Sequence, residues 1–173
     1  MTEAVSNIAS IADTADTADT ADIADIADIA DTADTADMTS ASATPFDRLG
    51  GERGVRSLVD RFYDLMDLEP AAVGIRALHG PTLDGSRDKL FWFLCGWLGG
   101  PNHYVERFGH PRLRARHLPY AIGIAERDQW LGCMVQAMDD QSVEPALAQR
   151  LADSFFGTAD WMVNRGAPTK PLS

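Results

Sequence analysis

The sequence predicts an all-α domain, and three features carry that expectation. Apolar residues recur at spacings of three and four through several long stretches, the period of helices that bury one face. No stretch alternates apolar and polar residues with the period of two that a half-buried strand requires. Breaks at Gly50-Gly51, Gly80-Pro81 and Gly99-Gly100-Pro101 separate the periodic stretches.

Residues 1–44 stand apart. Nine Ala-Asp-X triplets run from Ala12 to Met38, with Thr, Ile or Met as X. A period of three fits neither helix nor strand, so on a helix the aspartates would spread around the whole circumference. Like charges three residues apart also repel. Without aromatics the stretch cannot offset its ordering entropy, and disorder is expected. The charge is as uneven as the pattern. The chain carries a formal −11, of which Glu3 and nine aspartates in residues 1–44 supply −10, leaving −1 for residues 45–173. A near-neutral domain with a polyanionic arm lacks the basic surface that nucleic-acid binding needs.

The folded part is expected over residues 45–165, with 166–173 a disordered end. Thr44 can cap a short helix that has Pro45 at its first position, and Gly50-Gly51 ends it. A helix from about Glu52 to Met66 follows, its stripe formed by Val55, Leu58, Val59, Phe62 and Met66, with Tyr63 on or beside that stripe. Ile75 to Pro81 reads as one helical turn ending in a loop at His79. Asp84 or Ser86 is expected to cap a helix to about Leu98, which is rich in Leu, Phe and Trp. Ser86, Leu90 and Phe93 share one of its faces. Asn102 to Phe108 is short and anchored by Tyr104, and Arg112 to His117 makes less than two turns. A helix from about Ala125 to Met138 is expected to stop at Asp139-Asp140. Ser142 then caps a last one, from Val143 to about Asn164, carrying Leu147, Leu151, Phe155, Ala159 and Met162.

Several chemistries are set aside. Cys95 and Cys133 lie far apart in apolar stretches and read as buried, reduced thiols. No apolar run reaches the roughly 20 residues of a membrane span. With neither a secretion signal nor a transit peptide evident, the cytoplasm is expected. His103, His110 and His117 recur every seven residues, but Gly109 and Pro111 break the helix that would align them for zinc. No Gly-x-Ser-x-Gly, phosphate loop or Cys-x-x-Cys-His motif is present. What remains is the segment from Gly109 to Tyr120, with two histidines and with Arg112, Arg114 and Arg116 at alternate positions. Imidazole ligates iron and arginine neutralises carboxylates, so the segment suits a non-covalently bound haem.

These residues also carry a resemblance. Gly50-Gly51, Arg61-Phe62-Tyr63, Trp97-Leu98-Gly99-Gly100-Pro101, the run from Gly109 to His117, and Glu126-Arg127-Asp128-Gln129-Trp130-Leu131 occur in one order. Over about residues 45–165 the chain closely resembles the group II truncated haemoglobins. The resemblance implies a truncated globin fold, a two-over-two helical sandwich around haem b. His117 would be the proximal iron ligand and His110 a structural residue of the turn before it. Arg116, less directly Arg114 or Arg112, would pair with propionate, and Tyr120 would lie against the cofactor. Tyr63, Trp130 and His79 would face the bound ligand as three hydrogen-bond donors. Ser86 would leave an opening, with Leu90 and Phe93 lining the pocket. The implied function is reversible binding of O2 and other diatomic ligands such as NO and CO. Nitric oxide dioxygenation or peroxide turnover, served by an unidentified reductase, is the enzymatic alternative. A gas sensor acting through a partner is a third reading. A monomer or homodimer, with neither nucleic acid nor membrane as partner, completes the expectation.

Overall fold

The computed structural model describes residues 43–166. Disorder is expected over residues 1–44 and 166–173; of these, residues 1–42 and 167–173 lie outside the described residues, while Thr44 is held as a helix cap. Among the described residues there are eight α-helices and no strand: α1 (Pro45–Arg48), α2 (Gly51–Leu68), α3 (Val73–Ala77), α4 (Asp84–Trp97), α5 (His103–Phe108), α6 (Leu113–His117), α7 (Ile124–Asp140) and α8 (Pro145–Met162). A 3-10 turn, Pro70–Ala72, leads into α3.

Local chemistry explains most of the starts and stops. Thr44 and Asp47 form a reciprocal capping box at α1, satisfying two otherwise unpaired N–H groups. Gly50 and Gly51 then take φ of 93° and 69°, the left-handed backbone that lets the chain reverse into α2. Helix α2 is the centre of the fold. Val55, Val59 and Phe62 are fully buried on it, and Leu58 and Met66 nearly so. Their 3–4 spacing makes one continuous stripe, as the sequence requires. Helix α2 packs against α4 and α7, and α7 packs against α8. Two helix pairs, α2 with α4 and α7 with α8, give the two-over-two arrangement.

Several boundaries differ from the sequence reading. Helix α4 has Leu83 at its cap position and no side-chain cap; Asp84 is its first residue, where a carboxylate still favours the positive end of the helix dipole. Helix α7 runs through Asp139 and Asp140 instead of stopping at them. Asp140 accepts from Arg61 of α2 at 2.5 Å and from Gln136 one turn back at 2.8 Å, which compensates its position at the negative helix end. Helix α8 is capped by Glu144, whose carboxylate accepts from the amides of Ala146 and Leu147 at 2.9 and 3.0 Å. Ser142 instead sits in the preceding turn with φ of 52°. At its other end α8 stops at Met162, two residues before Asn164, which leaves that side chain free for a different task.

Candidate functional site

Tyr63 is almost wholly buried on α2, and its ring lies edge-on to Phe62 at 4.8 Å and to His79 at 5.9 Å. Ser86 of α4 is the polar side chain that bears on its hydroxyl. Burial raises its pKa far above the ordinary phenol value, against smaller opposing effects of Ser86 and the Arg87 charge. The hydroxyl therefore stays protonated and able to donate. Arg87 fixes the two helices in register: it donates to the Asp60 carbonyl at 2.7 Å and to the Asp64 carboxylate at 2.6 Å, while its guanidinium lies 5.7 Å from the Tyr63 ring. Those two bonds flank Tyr63 along α2 and come from the residue next to Ser86.

Trp130, half-buried on α7, packs at 5.1 Å from Phe62 and 5.6 Å from Phe155, which in turn stacks on Trp97 at 4.9 Å. Tyr63 and Trp130 thus share Phe62 as a common neighbour. The adjacent Gln129 bridges to α3, its side-chain oxygen accepting from the Ile75 amide at 2.7 Å. Gly74 makes this approach possible, because a Cβ there would stand 2.7 Å from the same oxygen. Beyond α3, His79 donates its Nδ1–H to the Ile75 carbonyl at 2.9 Å. Desolvation lowers its pKa, with the charges of Arg76 and His117 acting in the same direction. In the neutral ring Nε2 then carries a lone pair, making it an acceptor or base on that side.

His117 is the last residue of α6 and is half-buried. Its Nδ1 lies 2.6 Å from the Leu113 carbonyl, an oxygen that can only accept, so Nδ1 carries a proton and the neutral form of the ring presents its lone pair at Nε2. Metal-ligating histidines are held in this way, with one nitrogen oriented by a carbonyl and the other left to bind. The charge of His117 is the smallest of the influences that lower the His79 pKa.

The arginines of this segment divide their roles. Arg114 donates to the Trp161 carbonyl at the end of α8 and lies 5.6 Å from the Trp161 ring, so it ties α6 down. Arg116 is exposed and uses its Nε on the Pro111 carbonyl at 3.0 Å, leaving both terminal amino groups for an anion. Arg112 is exposed with φ of 42°. His110 accepts at Nδ1 from the Arg112 amide at 3.1 Å, a bond internal to the turn. Leu90 and Phe93 are half-buried on α4, Phe93 edge-on to Tyr104 at 6.2 Å, and Tyr120 is 46% exposed after α6. A planar apolar group carrying iron and two carboxylates fits this set. It finds one oriented imidazole nitrogen, incompletely covered apolar side chains and an outward guanidinium. The cysteines offer nothing comparable: burial raises both thiols, Cys95 to about 11, and keeps them protonated.

Sequence reasoning missed Arg87, Gln129 and Asn164. Each acts through a partner distant in the chain, and no local pattern marks it.

The bacterial-like globin family model matches residues 44–164. The chain belongs to the bacterial-like globins. Within that family it is a group II truncated haemoglobin, and as a globin it is a haem-binding protein. A group 2 truncated hemoglobin of Bacillus subtilis is 37% identical over 121 residues, 70% of this chain and 89% of the relative. The group II 2-on-2 hemoglobin of Agrobacterium tumefaciens superimposes with a TM-score of 0.70 at 43% identity, covering 75% of this chain and all of that one. A cold-adapted truncated hemoglobin from Pseudoalteromonas haloplanktis TAC125 gives 0.69 at 42% identity, over 70% and 98% of the two chains. A solved Bacillus subtilis structure described as a truncated oxygen-avid haemoglobin gives 0.64 at 37% identity, over 70% and 99%. Among the described residues, no helix of this globin is long and apolar enough to cross a membrane.

Proposed function

We propose that this globin reversibly binds O2 and other diatomic ligands, NO and CO among them, at a haem b held by His117. The observation that carries the reading is the 2.6 Å bond between His117 Nδ1 and the Leu113 carbonyl, which leaves Nε2 as the nitrogen available to iron. Haem, when bound, supplies an iron with a coordination position open to a small ligand. The chain's own residues do the rest. Arg116 offers its free amino groups to a propionate, while Leu90, Phe93 and Tyr120 cover apolar edges. Tyr63, kept protonated by burial, donates from its hydroxyl to the polar end of the ligand, and the indole N–H of Trp130 is the second donor. Ser86 is small enough to leave a way in. The oxygen-avid description of the Bacillus subtilis relative agrees with a pocket rich in donors.

One hydrogen bond of this kind contributes about 0.5–1.5 kcal/mol, so its loss speeds ligand release up to roughly tenfold. Stopped-flow O2 release from the reconstituted Tyr63→Phe variant should show that acceleration; a rate equal to the wild type would remove Tyr63 from the mechanism.

A second reading is favoured by His79. Its Nδ1–H is committed to the Ile75 carbonyl, so the neutral ring offers a base at Nε2 instead of the donor expected from the sequence. A base there suits removal of a proton from peroxide, and hence peroxidase-like turnover with an external reductase. His79→Ala should then lower peroxide turnover much more than it alters O2 release. Equal turnover in both proteins would eliminate this reading.

A further inference from the structure

We infer that Asn164 is a positioning residue for the proximal histidine: its side chain holds His117 where Nε2 meets the iron. This rests on the reading of His117 as the iron ligand. Helix α6 has five residues, too few to be stable alone, and its ligating residue is the last of them. Beyond it, residues 118–123 form no helix, so their backbone groups must find partners elsewhere.

Some are met locally, the Tyr120 amide donating to the His117 carbonyl at 3.1 Å and the Gly123 amide to Glu126 at 2.9 Å, and Asn164 supplies others. Its Nδ2 donates to the His117 carbonyl at 3.3 Å and to the Tyr120 carbonyl at 2.9 Å, and its Oδ1 accepts from the Ile122 amide at 3.1 Å. The backbone amides of Asn164 and Arg165 both donate to the Ile122 carbonyl, at 2.9 and 3.0 Å. The side-chain amide can sit only one way round, because a flip would set its oxygen against two carbonyl oxygens. Two donors and one acceptor on a stem this short belong to asparagine alone. Aspartate has the shape without the donors, and leucine has neither donor nor acceptor. Arg114, bonded to the Trp161 carbonyl, is a second tether from the same end of α8. The chain therefore hangs the residue that binds iron from the end of its last helix.

The test uses the full chain reconstituted with haem. Asn164→Ala and the isosteric Asn164→Asp are compared with wild type in the ferrous, ligand-free state. The iron–histidine stretching band is read by resonance Raman spectroscopy, and haem loss by transfer to excess apomyoglobin. Both variants should shift or broaden the band and lose haem about tenfold faster, the effect of losing roughly one net hydrogen bond. The aspartate should be at least as severe, since its carboxylate faces two carbonyl oxygens. The stretching frequency of bound CO, a report on Tyr63 and Trp130, should stay at the wild-type value. An unchanged band with haem loss that follows only a lower melting temperature would overturn the positioning role. His117→Gly, run alongside, separates the two claims: if it keeps the wild-type band, the ligand assignment itself fails. Hydrogen exchange on the wild type needs no variant. The Ile122 amide should be protected as strongly as the last turn of α8, and rapid exchange there would contradict the clamp.

Discussion

The two walls of the proposed site are built by different means. Tyr63 stands in the middle of an 18-residue helix, packed against Phe62 and His79 and almost wholly buried. His117 stands at the end of a five-residue helix whose residues are all at least partly exposed. Close packing fixes the first, because displacing a buried ring disturbs every neighbour at once. Hydrogen bonds fix the second: Nδ1 on Leu113, its carbonyl on Asn164, and Arg114 on Trp161. Stability and ligand chemistry should therefore be coupled on the Tyr63 wall and separable on the His117 wall.

The largest expected effect tests that coupling. Phe62 is fully buried and touches both Tyr63 and Trp130. Phe62→Ala should cost about 3–5 kcal/mol of unfolding free energy in denaturant titration, and O2 release should change as well. A change in only one of the two would break the proposed coupling.

His79 should give a smaller, pH-dependent effect. Burial lowers its folded pKa from the ordinary 6.5, so the unfolded chain binds the proton more readily. The sign follows from that difference: this contribution to stability is fully present above about pH 6.5 and is lost as pH falls toward the lower folded value. His79→Phe should flatten the stability profile below about pH 6.5, as followed by thermal melting. A slope equal to that of the wild type would place the acid sensitivity elsewhere.

The smallest effect on stability is expected at Arg116, which is exposed. Arg116→Gln should move the unfolding free energy by no more than about 0.5 kcal/mol, while haem loss becomes measurably faster. An unchanged rate of haem loss would make Arg116 a surface residue only.

The same contrast governs what the sequence could tell. The buried stripe of α2 and the Leu147, Leu151 and Phe155 series of α8 were legible because each repeats within its own helix. Tyr63 could be placed near that stripe by spacing alone. The helix ends were harder. Asp139-Asp140 reads as a stop until Arg61, 79 residues before Asp140, is seen to pair with it. The same holds for the clamps. Gln129 meets Ile75 across 54 positions, Asn164 meets His117 across 47, and Arg87 meets Asp64 across 23. No period or local motif marks an asparagine as a clamp, since its partners are backbone atoms whose placement only the fold determines. His117 became a candidate from its arginine-rich surroundings, but the nitrogen it presents depends on the Leu113 carbonyl and is a property of the folded turn.

His117 Nε2 is the atom on which the proposed haem site depends. His117→Gly, reconstituted with haem and examined by absorption spectroscopy in the ferrous state with and without added imidazole, tests it most directly. The variant should lose the spectrum of histidine-ligated iron and regain it when imidazole enters the vacated space. A His117→Gly protein that keeps the wild-type spectrum without imidazole would contradict His117 as the iron ligand.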